Sequence, residues 1–311
     1  MLEALIDWEA FIGIFVSPLT DPASRIYFVY LLPALLVTGL FAIKAVGLRG
    51  GIRRLRSLGP GYFFSASSAV DVALLVTNGL LKLLLFVPVF GSSLLVAITV
   101  GSVLQDNLGD ANFLQDMPLY GITLAFSGTL FVFDDFTRFC THYWMHRSPL
   151  LWSLHKVHHS ATVLTPLTIY RVHPIESAIY FLRAVLASGV VIGVFVWIFG
   201  RGLSGLEVLG VNAFGFMFNL AFANLRHSHI YLSFGPLEKL FVSPAQHQLH
   251  HSADHRHVNL GSALAIWDQL LGTWKGAGIR PETLVFGINK RSGAKPYGVS
   301  QVQHRVFYFL T

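Results

Sequence analysis

The chain has 311 residues, 53% of them hydrophobic and only 12% charged, with a mean hydropathy of +0.58. Soluble domains carry roughly a quarter charged residues, so this composition excludes an ordinary water-soluble domain and predicts an integral-membrane protein. The net charge of +6 does not predict nucleic-acid binding, because the basic residues flank apolar spans as the positive-inside rule describes. The single cysteine, Cys140, excludes both an intrachain disulfide framework and a cysteine-built metal site.

Residues 1–15 lack a basic start and carry Glu3, Asp7 and Glu9, so they do not read as a cleaved signal peptide. A crossing helix needs about 20 mostly apolar residues, and residues 26–46 are the first such run. Arg49, Arg53, Arg54 and Arg56 follow it and read as cytoplasmic. Residues 69–90 are a second run. A break at Pro88 and Gly91 separates it from 94–104, which is too short to cross alone and reads as interfacial or re-entrant. Asp106, Asp110 and Asp116 mark a non-cytoplasmic loop, so the path from the basic loop needs an odd number of crossings: one helix plus a bent segment. Residues 119–139 form the next span. Residues 175–199 and 203–225 read as a hairpin turning at Gly200 and Gly202. The expected fold is all-α, a membrane bundle of about four to six crossing helices.

Eleven of the 14 histidines lie between His142 and His251. Eight fall into three clusters: His142 and His146; His155, His158 and His159; His247, His250 and His251. Residues three and four apart share a helix face, so each cluster is expected to aim at one point, and neutral imidazole is the commonest metal ligand near neutral pH. Eight imidazoles exceed the roughly four that a tetrahedral zinc takes, which predicts two metals. By the count of crossings, every histidine from His142 to His257 falls on the cytoplasmic face, with Arg138, Arg147, Lys156, Arg171, Arg226 and Lys239. A ligating imidazole usually donates its other N–H to a carboxylate or carbonyl. Asp135, two turns before His142 on the same face, is the first candidate, ahead of Asp254, Asp268 and Glu176, whereas Asp134 reads as an interhelical partner. Three readings stay open: a di-iron oxygenase, a dizinc membrane hydrolase, and a non-catalytic metal-binding or transport protein. The first cluster lacks the glutamate of His-Glu-x-x-His. A transporter would place its ligands at the bilayer midplane.

Read together as HxxxH, HxxHH and HxxHH, the clusters resemble those of the fatty acid hydroxylase/sterol desaturase superfamily of integral-membrane di-iron oxygenases. Asp135, Arg147, Asn259-x-Gly261, Ile266-Trp-Asp268 and Leu271-Gly-Thr273 agree as well, over roughly 119–274, about half the chain. The resemblance implies a membrane bundle under a cytosolic helical cap that holds the di-metal site. The implied domains are N-terminal membrane helices at 1–118, a fatty acid hydroxylase-like catalytic domain at 119–275, and a tail at 276–311. It makes the eight clustered histidines metal ligands and adds His227 as a ninth. His229 stands where many relatives have asparagine, and His173 precedes a membrane helix; both, with Asp135, are candidates for a catalytic role.

The implied cofactors are two iron ions, with zinc as a mismetallated substitute, and dioxygen as co-substrate. No haem-attachment or dinucleotide motif is visible in the sequence. The two electrons are therefore expected from a separate electron-transfer protein, such as a ferredoxin or a cytochrome b5-like protein, or from a pterin. The implied reaction is hydroxylation, or desaturation, of an aliphatic C–H bond in a lipid or sterol-like substrate drawn from the bilayer. The compact length and absence of retrieval signals fit a bacterial inner membrane.

Overall fold

The computed structural model describes residues 8–111, 114, 116–200, 205, 207–208, 211–221, 223–228, 230–278 and 284–288. Helix α1 is Trp8–Thr20 and α2 is Phe28–Phe63; α3, Ala66–Leu81, begins where the Ser65 hydroxyl accepts the Ser68 N–H at 3.0 Å. A wide π turn at Lys82–Phe86 leads from α3 into α4, Val87–Phe90. This loosened turn sits just before Pro88, whose ring clashes with the preceding turn of an α-helix and removes one hydrogen bond. Gly91, with φ 69°, ends the run, and α5, Ser93–Leu108, follows.

Helix α5 does not stand alone as a short piece: with α3 and α4 it makes one apolar helical stretch, Ala66–Leu108. It packs against α8, Pro174–Phe199, where a Cβ on Gly189 would fall 2.4 Å from Val96 and one on Gly193 would fall 2.6 Å from the Ala97 carbonyl. Small residues let membrane helices approach this closely. Asn78 in α3 donates to the Val172 carbonyl just ahead of α8, Phe86 and Phe90 pack on Phe181, and the Trp197 indole donates to the Gly109 carbonyl. The path from α3 to α5 thus runs beside α8 in the same direction from one end to the other. That path is consistent with one helix plus a bent segment, the arrangement favoured by the charge pattern.

Helix α6, Leu119–Arg147, runs the opposite way. At Ser148 the chain turns into α7, Pro149–His159, with the Ser148 hydroxyl accepting the Leu151 N–H and proline in the first helical turn, a favoured helix start. The return from Gly200 is not the continuous span expected over 203–225. The described residues hold two-residue strands β1, Glu207–Val208, and β2, Val211–Asn212, paired antiparallel, then α9, Ala213–Ala221. Gly202, Gly205, Gly210 and Gly215 each weaken a helix, and the Asn212 carboxamide oxygen accepts the Phe214 and Gly215 N–H groups, starting α9 late. Asn212 lies beside Ser127 and Phe214 beside Phe131, so the chain returns along α6 to the end that carries the histidines. Short helices α10, Pro244–His251, and α11, Ile266–Leu270, complete a cap there.

Among the described residues, three helical stretches are long and apolar enough to cross a membrane: Ala66–Leu108, Leu119–Arg147 and Pro174–Phe199, with a shorter apolar helix at Phe28–Leu40. Leu35, Leu36, Leu40, Leu84, Leu94 and Leu95 turn outward, as lipid-facing positions do. The chain is an all-α integral-membrane protein, apart from that small ribbon.

Candidate metal centre

Nine histidines gather at the cap end of α6, α7 and α10. They form two nests: His142, His146, His155, His159 and His250 in one, and His158, His227, His247 and His251 in the other, with ligand atoms within 4.8 Å of one another in each. The expectation that each cluster aims at one point holds for His142 and His146 alone. His155 and His159, four apart, share the first nest, and His247 and His251 share the second. His158 and His250 cross to the opposite nest because consecutive helical residues are turned about 100° apart at 3.6 residues per turn. Both HxxHH boxes therefore straddle the two nests, and the His159 and His251 rings stack between them at 4.7 Å.

The rings are aimed by what their Nδ1 atoms touch. His142 Nδ1 donates to the Leu260 carbonyl at 2.7 Å, His250 Nδ1 to that of Val258 at 2.9 Å and His158 Nδ1 to that of Arg171 at 3.3 Å. His155 Nδ1 donates to Glu176 Oε1 at 2.7 Å. Each Nδ1 must carry the proton, because its partner is only an acceptor, so each neutral ring presents a bare Nε2 to the nest. Burial pushes His155 and His158 down to about 3, and holds His159, His227, His247, His250 and His251 well below the ordinary histidine value, which keeps them neutral.

His142 and His155 thus face each other through bare Nε2 lone pairs only 3.1 Å apart, which is not a hydrogen bond. Other ring nitrogens lie as close: His142–His146 at 3.2 Å, His227–His247 and His227–His251 at 3.0 Å, and His247–His251 at 3.2 Å. The buried Nε2 atoms of His159 and His250 have no hydrogen-bond partner. A cation at the usual metal–nitrogen distance of about 2.1 Å separates neighbouring ligands by about 3.0–3.4 Å, so these spacings fit a metal ion in each nest.

The loop behind His142 explains the Asn259-x-Gly261 and Asp268 pattern. Asp268 accepts the Leu260 and Gly261 N–H groups, both at 2.7 Å, and the Thr273 hydroxyl at 2.6 Å, which fixes the Leu260 carbonyl on His142. A Cβ on Gly261 would lie 2.7 Å from Asp268 Oδ2 and 2.8 Å from the Leu264 carbonyl. Asn259 adopts φ 53°, a conformation asparagine tolerates, and its side chain ties Gln246 to Lys275.

Two candidates fall elsewhere. Asp135 meets no imidazole: it accepts from Ala263 N, Leu264 N and the Trp267 indole at 2.7, 3.0 and 2.9 Å. Its turn on α6 faces the loop, and it acts on His142 only through that loop. His173 is a helix cap, with its Nδ1 accepting the Ile175 N–H at 3.2 Å, and lies outside both nests. The third candidate, His229, lies outside the described residues. Glu176, ranked below Asp135 from sequence, is the carboxylate that touches a nest histidine. The carbonyls of Arg171, Val258 and Leu260 escaped the sequence reading because a main-chain carbonyl leaves no residue-type signal.

Residues 128–273, which contain all nine histidines, match the fatty acid hydroxylase family. Human alkylglycerol monooxygenase is 28% identical over 153 residues, 47% of this chain and 30% of its own length. The zebrafish protein of the same name is 30% identical over 139 residues, 43% and 28% of the two chains. The ornithine lipid hydroxylase OlsE of Rhizobium tropici is 30% identical over 162 residues, 50% of this chain and 44% of its own. The chain thus spans less than half the length of these relatives, and no solved structure matches it. The match over 128–273, with all nine histidines inside it, and these relatives support the resemblance of the histidine pattern to the fatty acid hydroxylase/sterol desaturase superfamily.

Proposed function

We propose that the chain is a lipid hydroxylase whose two nests each hold an iron ion. The observation that carries this reading is the paired all-nitrogen nests, sharing a wall where His158 and His159, and His250 and His251, point to opposite sides. The two irons, when bound, supply activation of dioxygen and oxidation of an unactivated C–H bond, with hydroxylation the simplest outcome and desaturation its close variant.

The protein's own groups set the conditions. Burial keeps water from the nests, and the Nδ1 bonds hold the rings so that ligand geometry costs no reorganisation. An apolar groove along α6, lined by Gly128, Thr129, Val132, Phe133, Phe136 and Trp267, offers an alkyl chain a seat on the membrane side. The relatives named as an alkylglycerol monooxygenase and an ornithine lipid hydroxylase support a lipid substrate. Residues 119–275 would be the catalytic unit. The basic run Arg49 to Arg56, in the second half of α2, supports a cytoplasmic active site, in a bacterial inner membrane, reduced by a separate electron-transfer protein or a pterin. A dizinc hydrolase would need a carboxylate base free at the metals, and Glu176 Oε1 is engaged by His155.

Turnover of the iron-loaded protein with a reductant, membrane lipids and isotope-labelled dioxygen tests the proposal. Label in a hydroxylated lipid is expected. Iron-replete protein that oxidises none of the lipids under any reductant would contradict it.

A further inference from the structure

Beside the first nest the chain buries more positive charge than it neutralises. Asp134 is shared by Arg138, at 3.2 Å, and Arg183, at 2.8 Å, and Asp135 is filled by three neutral N–H donors. Among the described residues Arg25 donates to the Ser262 hydroxyl at 3.3 Å, and Arg226 donates to the Val242 carbonyl at 3.1 Å and lies over the Phe218 ring, with its Nε buried and without a hydrogen-bond partner. Among the described residues neither has a carboxylate within ion-pair reach. These groups surround one loop: Ser262 holds Arg25, Ala263 next to it holds Asp135, and the Ala263 carbonyl accepts from Val242 N, whose own carbonyl takes Arg226.

Four guanidiniums stand against Asp134, Asp135 and, on the same loop, Asp268, whose oxygens are taken by Leu260 N, Gly261 N and the Thr273 hydroxyl, leaving one positive charge in excess before any metal cation is added. Burial, with Arg138 nearby, pushes Arg25 down to about 10. Buried charge without a partner is costly and marks a functional site in a membrane protein. The same loop reaches the first nest, because the Leu260 carbonyl, two residues before Ser262, accepts from His142 Nδ1 at 2.7 Å.

We propose that Arg25 and Arg138, backed by Arg226, form an anion-binding site that holds the carboxylate or phosphate head of an anionic lipid beside His142. The guanidinium fork matches either group in two-point contact. The site stands on the charge arrangement alone. Its consequence, that oxidation falls on carbons near the head group rather than at the chain terminus, rests on the hydroxylase reading.

The test is binding to the full-length, metal-loaded protein in nanodiscs, with laurate, dodecyl phosphate and dodecanol as probes that share one chain length. Tighter binding of one or both anions than of the alcohol is expected, by about tenfold, as a charge-assisted contact provides. Arg25→Gln should abolish that preference with metal content unchanged, and Arg25→Lys should restore part of it. Preference for laurate assigns a carboxylate head, preference for the phosphate ester a phosphate head, and either supports the site. Equal affinity for all three probes, or a preference that survives both Arg25→Gln and Arg138→Gln, would overturn it. Because metal content and anion preference are read separately, loss of the hydroxylase reading would show as metal-free or inactive protein that still prefers anions.

Discussion

His142 and His155 face each other through Nε2 atoms 3.1 Å apart, while their Nδ1 protons are committed to the Leu260 carbonyl and to Glu176. Two lone pairs at that distance repel unless a cation lies between them. That one contact turns a histidine-rich end of a helix bundle into a metal site.

The division into two nests predicts selective losses. His146→Ala removes a nitrogen from the first nest only, and His247→Ala one from the second only. Each variant should insert in the membrane normally and fall from two metals per chain towards one, with hydroxylation lost. Metal analysis of purified variants checks this; equal loss of both metals from both would mean that the nests do not fill independently.

Glu176 should matter through charge as well as through its hydrogen bond. Glu176→Ala leaves the buried His155 Nδ1–H without its partner, and such changes typically cost 10–100-fold in metal affinity or activity. Glu176→Gln keeps an acceptor and should lose less. Metal retention during graded chelation ranks the three proteins.

A buried pair far from the metals in sequence should disturb the second nest. Asp71, fully buried in α3, pairs with Arg171 at 3.3 Å and accepts the Thr168 hydroxyl at 3.0 Å. Arg171 offers its main-chain carbonyl to His158. Breaking a buried pair on one side costs about 3–5 kcal/mol. Asp71→Ala should therefore lower thermal stability and release the second metal before the first, which metal-binding titrations of the refolded or milder Asp71→Asn protein would resolve.

Gly193→Val is the control for fold without site. Its side chain would meet the Ala97 carbonyl and Val100 where α5 crosses α8, an overpacking cost of about 1–3 kcal/mol. Thermal unfolding in detergent should shift downward while two metals per folded chain are retained.

The spans at 119–139 and 175–199 are legible in the sequence because their hydropathy is continuous over a full bilayer. The return over 203–225 is not, since glycines and the Asn212 cap break it into short pieces that a hydropathy window averages together. The histidine boxes are legible as clusters, but the assignment of His158 and His250 to opposite nests depends on helix rotation at single residues. Asp135 outranks Glu176 on spacing, yet its carboxylate faces the 263–267 loop, whereas Glu176 reaches His155 from a different helix. Asp71 and Arg25 carry no local motif at all, and folding alone brings them to the cap.

The central claim, that the nests hold a pair of iron ions, is tested most directly by metal analysis and Mössbauer spectroscopy of detergent-purified protein grown with added iron, before and after reduction. The account predicts close to two irons per chain with the spectrum of a coupled pair. Well-folded protein without stoichiometric metal, or two zinc ions that iron supplementation does not displace, would contradict it.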